Sequence, residues 1–467
     1  MIFTSLSFFV FFTVVLISVL ILQNYSVERA KHYFLLGASF FFYGWWDWRF
    51  CFLLLGVIAS SYITALYCRK KLVFIFGISV PLIVLGVFKY FNFFMNSLGL
   101  HRFDSLKIIL PVGISFYTFQ ALSYVIDVYR GKITVEKDFI RLALYISFFP
   151  QLVAGPIVRA SDFLPQLHDT SRRITAENFC LGIQIMAMGY FKKVVLADHI
   201  SVFVDDVFRV PVAFNWATIA LAVISYSLQI YFDFSGYSDI ASGCAKCMGY
   251  DFMRNFNLPY ISRSVTEFWR RWHISLSGWL RDYLYIPLGG NRHGKLRQLI
   301  NLMITMLLGG LWHGADWTFV FWGGCNGLAL CGEKLLTFSK KGKKEDKTGI
   351  FLQIVKIVSV FLFISFTWIF FRAENFSDSW TVIKGIFTLQ NGIKQPFFWS
   401  FVALFILIIS EILAAVKAKR EHNTDINGFT PVMNLNTITG LTIFFVFVGV
   451  ILGLAFTGEN PFVYFQF

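Results

Sequence analysis

The chain has 467 residues, of which 57% are hydrophobic and 15% are charged. Soluble domains carry roughly a quarter of charged residues, so this composition excludes an ordinary soluble protein. The formal net charge of +14 would suit a nucleic-acid partner, but the basic residues lie in short loops between apolar stretches, where the positive-inside rule explains them.

Apolar stretches run from one end of the chain to the other. The first, Ile2–Leu22, has no basic segment before it and no cleavage site after it, so we interpret it as a retained helix. Continuous stretches begin near Phe3, Phe34, Phe52, Val73, Ala217, Phe351, Phe398 and Ile438, and interrupted ones near Pro111, Leu142, Leu181, Leu299 and Trp317. Since a span needs about 20 apolar residues, we expect an all-α polytopic membrane protein with about 11 to 13 membrane segments, some of them re-entrant. We expect one membrane domain over residues 1–467.

Basic loops predict the topology of this domain. Glu28–Lys31, Cys68–Lys71, Lys340–Lys344 and Lys417–Arg420 are assigned to the cytoplasm. One further span after Arg420 then places an aromatic tail, residues 456–467, outside the cell membrane.

Residues 262–299 form an arginine-rich segment of a different kind. On a helical wheel one side carries most of its large apolar side chains, namely Phe268, Trp269, Trp272, Leu276, Trp279, Leu280 and Tyr283. This pattern predicts a helix lying in the cytoplasmic interface, ended by a turn at Pro287–Asn291. Its arginines are candidates for binding the phosphates of a donor, and positive-inside placement explains the same charges.

Two of the eight histidines are candidates for chemistry. His313 lies between apolar residues in Leu307–Gly314, and an ionisable group at membrane depth marks a functional site. A histidine that joins two helices by hydrogen bonds is the alternative. His273 lies just inside the edge of the apolar side of the arginine-rich segment and is expected to face the interior, where packing or capping is the alternative. We expect a solvated position for His32, His101, His168, His293 and His422, and a span-edge position for His199.

Buried histidines without a carboxylate pair suit acyl transfer. A neutral imidazole can take a proton from a hydroxyl group that attacks an activated acyl group, and a thioester donor requires no metal. Cys244 and Cys247 form a lone Cys-x-x-Cys, which favours packing over a metal site, and we expect no metal. A secondary transporter is the alternative from another class, but it predicts two related halves, and we find no such repeat.

Six motifs together resemble the membrane-bound O-acyltransferase family. They are PVGISFYTFQ (111–120), PQLVAGP (150–156), YFDFSGYSD (231–239), FWRRWHISLS (268–277), RDYLYIPLGG (281–290) and GGLWHG (309–314). The resemblance implies a ring of helices around a thin centre, with funnels opening to both faces. It also implies that His313 is the catalytic histidine and that His273 is the second motif histidine. For the polar residues Asp233, Ser235, Tyr237 and Asp239 we expect hydrogen bonds between helices.

The resemblance also implies an activity and its surroundings. It implies transfer of acetyl groups from a cytoplasmic donor, acetyl-CoA, to an extracellular, alginate-like polysaccharide, with no bound cofactor. It further implies that the protein lies in the inner (plasma) membrane. An extracytoplasmic partner of the SGNH or serine-esterase type would then place the acetyl group on the polysaccharide. Acylation of peptidoglycan or teichoic acid is the alternative within the same branch, and transfer to a lipid or a protein is a further one.

The C-terminal residues Pro461–Phe467 are similar to the aromatic tail of D-alanylation systems. This similarity implies that Tyr464 receives the acyl group at the His313 site and relays it outward. An aromatic anchor at the membrane interface is the alternative.

Overall fold

The computed structural model describes residues 1–25, 27–100, 108–153, 155–339, 349–421, 429 and 432–458, with the backbone alone for 339 and 411–421. Every regular element in these residues is a helix, and one isolated parallel bridge joins Phe214 and Ile393. The predicted all-α fold is confirmed.

The described chain is a succession of α-helices joined by loops and short helical turns. The first ten are α1 (Leu6–Asn24), α2 (Glu28–Asp47), α3 (Arg49–Tyr67), α4 (Lys71–Leu85), α5 (Phe91–Ser97), α6 (Ile114–Tyr129), α7 (Phe139–Ser147), α8 (Phe149–Leu152), α9 (Ala160–His168) and α10 (Ala176–Tyr190). The next ten are α11 (Asp198–Arg209), α12 (Trp216–Cys247), α13 (Val265–Arg271), α14 (Ile274–Leu280), α15 (Gly294–His313), α16 (Trp317–Ser339), α17 (Ile350–Arg372), α18 (Phe376–Phe387), α19 (Phe398–Glu421) and α20 (Ile438–Leu454). The π-helical turns are Gly86–Tyr90, Phe191–Ala197 and Arg281–Tyr285.

Six helices among the described residues are long and apolar enough to cross a membrane. They are Leu6–Asn24, Arg49–Tyr67, Lys71–Ser97, Ala176–Arg209, Trp216–Cys247 and Ile350–Arg372. Two shorter apolar helices cover Phe398–Ser410 and Ile438–Leu454. The chain is therefore a multi-pass membrane protein, as predicted, whereas 11 to 13 segments remains a prediction.

The interrupted stretch near Leu142 shows why some predicted segments fall short of a span. Helix α7 has nine residues, or about 14 Å, which is less than half of a hydrocarbon core of about 30 Å. Phe148 leaves the helical conformation, with a ψ of 115°, and Pro150 lies in the first turn of the short helix α8, which begins at Phe149. A proline is tolerated in the first turn of a helix but interrupts a helix that reaches it from the N-terminal side, which accounts for the break.

The chain divides into two compact units, and the first comprises Met1–Tyr190, Tyr237–Met253 and Phe429–Gly449. Its core is aromatic, with the Phe42 and Phe149 ring centroids 5.6 Å apart. The expectation of a solvated His32 is wrong, because this side chain on α2 is only 5% exposed. Helices α1 and α7 pack against α2. The charged residues that flank His32 in the sequence do not indicate this burial.

The second unit comprises Phe191–Gly236, Arg254–Gly428 and Val450–Phe467. Its helices α15 and α16 pack closely, because a Cβ added to Gly310 would lie 3.3 Å from the Gly323 Cα and would overlap the Phe319 carbonyl oxygen. Small residues permit this approach of two helix backbones. The crossing fixes the end of α15, where His313 lies. The prediction of a single domain is not tested by this division.

The arginine-rich segment is helical but not one continuous helix. Helices α13 and α14 are separated at Trp272 and His273, and a π-helical turn follows α14. Most of the predicted apolar side is buried all the same, at no more than 8% exposure for Phe268, Trp272, Leu276, Trp279 and Tyr283. The placement of this segment at a membrane interface stays a prediction.

Candidate active site

His313 is the last residue of α15 and is 5% exposed. Three aromatic rings meet its imidazole edge to face, with centroid distances of 5.0 Å to Trp312, 5.2 Å to Trp322 and 5.4 Å to Phe371. Gly314 then leaves the helix in an extended conformation. The imidazole lies in the protein interior, where the surrounding rings shield it from bulk water.

His273 connects α13 to α14 and is fully buried, as its place on the apolar side predicts. Its backbone is left-handed, with φ 43° and ψ 56°. For a residue other than glycine such a conformation costs about 1 to 3 kcal/mol, and residues strained in this way cluster at active sites and ligand clamps. The Phe234 ring packs edge to face against the imidazole at 4.6 Å.

Asn255 holds this strained residue in place. Its side-chain oxygen lies 3.1 Å from His273 Nδ1 and also accepts from the Ser275 backbone N–H at 3.2 Å and the Ser275 hydroxyl at 2.9 Å. Its backbone carbonyl accepts from the Ile274 N–H at 2.9 Å. These bonds tie the start of α14 to the segment before α13 and offset the backbone strain at His273.

The same hydrogen bonds determine the tautomer of His273. Because a backbone N–H donates to the Asn255 side-chain atom, that atom is the amide oxygen, and His273 Nδ1 must carry the proton it donates. Nε2 then holds the lone pair of a neutral imidazole, and it has no hydrogen-bond partner within the described parts of the chain. His273 therefore offers a buried proton acceptor with a fixed orientation.

Burial lowers the pKa of His273 from its ordinary 6.5 to about 3. The imidazole is therefore neutral at physiological pH. The unfolded chain binds this proton more readily, and above about pH 6.5 the group is neutral in both states and costs the folded state nothing. As the pH falls from 6.5 toward 3, the group increasingly destabilises the folded state.

The structure brings the two predicted histidines together. Their ring centroids are 6.4 Å apart, and Trp312 contacts both rings, at 6.1 Å from His273 and 5.0 Å from His313. Two imidazoles at this distance can act on one bound hydroxyl group, one as proton acceptor and the other through a hydrogen bond.

Tyr464 lies outside the described residues, so its relay role stays a prediction.

Two features of this region escaped the sequence reasoning. Asn255 lies outside every motif, and its part in the site follows only from the fold. Lys193, in the π-helical turn before α11, lies 2.6 Å from Asp233 and 2.8 Å from Asp198, and all three are buried. The sequence feature that could have indicated these ion pairs is a lysine inside an apolar stretch, because a buried lysine requires a partner of opposite charge. This triad anchors α12 one residue before Phe234, which touches His273.

Two arginines of the arginine-rich segment form ion pairs with carboxylates of the same segment. Arg271 pairs with Glu267 at 2.9 Å, and Arg281 pairs with Asp282 at 2.7 Å. A guanidinium that already has a carboxylate partner offers fewer donors to a phosphate. Binding of donor phosphates by this segment stays a prediction.

The two cysteines of the Cys-x-x-Cys pair are buried in the first unit. Cys244 Sγ lies 3.9 Å from the sulfur of Met186, a contact typical of packing. Over the residues that the structure describes, no three His, Cys, Asp or Glu side chains form a group that could hold a metal ion.

Comparison with known proteins supports the motif resemblance. The model of the membrane-bound O-acyltransferase family matches residues 134–373, which include both histidines. The probable alginate O-acetylase AlgI of Pseudomonas putida is 38% identical over 95% of this chain and 96% of its own length. The protein of that name in Pseudomonas aeruginosa is 42% identical over 78% of this chain and 71% of its own. A peptidoglycan O-acetyltransferase of Helicobacter pylori is 37% identical over 84% of this chain and 80% of its own length.

Replacing Asn255 with Asp tests the role of the amide oxygen. A carboxylate keeps the acceptor for Ser275 and adds a negative charge beside Nδ1, so the pKa of His273 should rise clearly above its wild-type value of about 3. NMR titration of ¹⁵N-histidine-labelled protein, with the signal assigned from His273→Gln, measures the shift. Asn257→Asp is the matched control, because that side chain makes no hydrogen bond among the described residues. An unchanged titration in Asn255→Asp would contradict the assigned geometry.

Proposed function

This chain belongs to the membrane-bound O-acyltransferase family, and we propose that it transfers acetyl groups to hydroxyl groups of a cell-surface polysaccharide. Membership makes it an O-acyltransferase and sets the transporter interpretation aside. Alginate, which relatives carry in their names, is the proposed polymer. The buried pair of His273 and His313, 6.4 Å apart, is the observation that carries the proposed mechanism.

In the proposed reaction His313 acts as the general base. The acceptor hydroxyl oxygen attacks the carbonyl carbon of an acetyl thioester while its proton passes to the imidazole. The tetrahedral intermediate collapses, the carbon–sulfur bond breaks, and the thiolate takes the proton back from the imidazolium. The products are an O-acetyl ester and a free thiol, so atoms and charge balance.

His273 supports this step without titrating. With Nδ1 bound to Asn255, its Nε2 accepts the single hydrogen bond that the hydroxyl group can donate while this group binds. The hydroxyl group then turns the same proton to His313 for the attack. Its low pKa keeps it neutral when His313 becomes charged, which avoids two neighbouring cations in one buried site. Neutral His273 thus acts as a positioning acceptor.

We place the donor, acetyl-CoA, on the cytoplasmic side of the inner (plasma) membrane and the acceptor outside. The positive-inside assignment of Glu28–Lys31 and Cys68–Lys71 supports this direction. The acyl group then leaves outward through Tyr464 in the extracytoplasmic tail. A secreted or periplasmic partner of the SGNH or serine-esterase type places it on the polymer.

Peptidoglycan is the second candidate acceptor. The peptidoglycan O-acetyltransferase of Helicobacter pylori is 37% identical over 84% of this chain, close to the identity of the relatives named for alginate. In the proposed route the Tyr464 phenol receives the acyl group at the histidines and the partner passes it to sugar hydroxyls, so the histidine chemistry is the same for either polymer. Analysis of which polymer loses its acetyl groups in a deletion strain separates them.

The first test of this function is His313→Ala, expressed at the wild-type protein level. Removing a general base should lower polymer acetylation by about 100-fold or more. Mass spectrometry of acetyl groups on the isolated polymer measures the loss. His293→Ala, an exposed histidine of the turn before α15, is the matched control and should acetylate normally. Normal acetylation by the His313 variant would refute the catalytic role.

The second test is Tyr464→Phe, which keeps an aromatic ring and removes the nucleophilic oxygen. If the phenol relays the acyl group, this variant loses polymer acetylation while its protein level stays normal. Phe462→Leu, in the same tail, should retain activity. Full acetylation by Tyr464→Phe would end the relay proposal and favour an aromatic anchor.

A further inference from the structure

The first unit contains a cleft that the acyl-transfer site does not use. It has a volume of about 860 Å³ and lies between the start of α2, α3, the loop before α7, and α9. Ligand pockets of small molecules range from about 300 to 1,000 Å³. The cleft is therefore large enough for a nucleotide or a lipid headgroup.

Both carboxylates of the cleft are already bound to neighbouring protein groups. Glu136 is 6% exposed, and its two oxygens contact His168 Nε2 at 2.5 Å and the Asp138 backbone N–H at 2.9 Å. Asp138 caps α7 by accepting from the Ile140 N–H at 2.9 Å. Protein groups therefore fill part of the hydrogen-bonding capacity of both carboxylates.

The basic groups of the cleft have donors to spare. Arg141 forms ion pairs of 3.9 Å with Glu136 and Asp138, too long for hydrogen bonds, and its buried Nε has no hydrogen-bond partner in the described part of the chain. Arg29 is exposed and makes no ion pair or hydrogen bond to any described residue. Lys137 is also exposed at the cleft. Three cations thus face two engaged carboxylates.

Two aromatic side chains line the cleft beside these basic groups. Tyr62 and Phe139 line the cleft with ring centroids 5.3 Å apart, and the Tyr62 hydroxyl donates to the Lys137 carbonyl at 2.7 Å. This bond fixes the loop that carries Lys137. Guanidinium groups bind phosphate oxygens through two parallel hydrogen bonds, and a nearby ring can stack on a base or cover an acyl stem.

We propose that this cleft binds the phosphate groups of an organic phosphate, with Arg29 and Arg141 as the principal donors. Two sources share this chemistry: the nucleotide part of a coenzyme A donor, and the headgroup of an anionic phospholipid. The cleft differs from the arginine-rich segment, where Arg271 and Arg281 already have carboxylate partners. Only the nucleotide source relates to the proposed function, and phosphate binding itself does not depend on acyl transfer.

The test uses the full chain in nanodiscs of zwitterionic phosphatidylcholine. One arm measures the Kd of desulfo-coenzyme A by calorimetry, and the other counts bound phosphatidylglycerol by native mass spectrometry after titration into the discs. The variants are Arg29→Gln and Arg141→Gln. Arg69→Gln, an exposed arginine outside the cleft, is the matched control. Arg29 is exposed and makes no ion pair or hydrogen bond to a described residue, so its variant remains informative if Arg141→Gln misfolds.

The expected result is a loss of affinity of about tenfold or more for one of the two ligands in both cleft variants, with no change in Arg69→Gln. The ligand that is affected identifies the source. The proposal is overturned if wild-type protein binds neither ligand, if the cleft variants bind both normally, or if Arg69→Gln loses as much as they do. Binding is read without acyl transfer, so such a failure would leave the acetylation tests of His313 untouched.

Discussion

The amide oxygen of Asn255 is the constraint on which the candidate site depends. One oxygen accepts from His273 Nδ1 and from both the backbone N–H and the hydroxyl of Ser275. These bonds hold His273 in a left-handed conformation that breaks the helix, select its tautomer, and leave Nε2 as a buried acceptor. Without them the apolar pattern of the segment favours a continuous helix, in which the imidazole would have no fixed direction.

His313 is held in position by helix packing. It ends a helix whose position is fixed by the close glycine crossing of α15 and α16, where a side chain larger than hydrogen at Gly310 would overlap its neighbour. Aromatic rings of Trp322 and Phe371 then enclose the imidazole. The site thus combines a strained, hydrogen-bonded histidine with one held by packing, and both lie in the second unit.

The helical class and the burial of His273 and His313 could be predicted from the sequence, because apolar stretches are local signals. The break at His273 could not, because its cause is a hydrogen bond to Asn255, 18 residues earlier in the chain. The burial of His32 and the ion pairs of Lys193 were missed for the same reason, since both depend on which helices pack together. At these positions tertiary contacts override what the local pattern indicates.

The central claim is that His273 and His313 act on one hydroxyl group as a unit. A double-mutant cycle of His273→Gln and His313→Gln, read as thiol release from acetyl-CoA by the purified and reconstituted chain with its acceptor, tests this most directly. Residues that act together show strongly non-additive losses, so the double variant should be little worse than His313→Gln alone. Losses that multiply, as for two independent residues, would contradict the account.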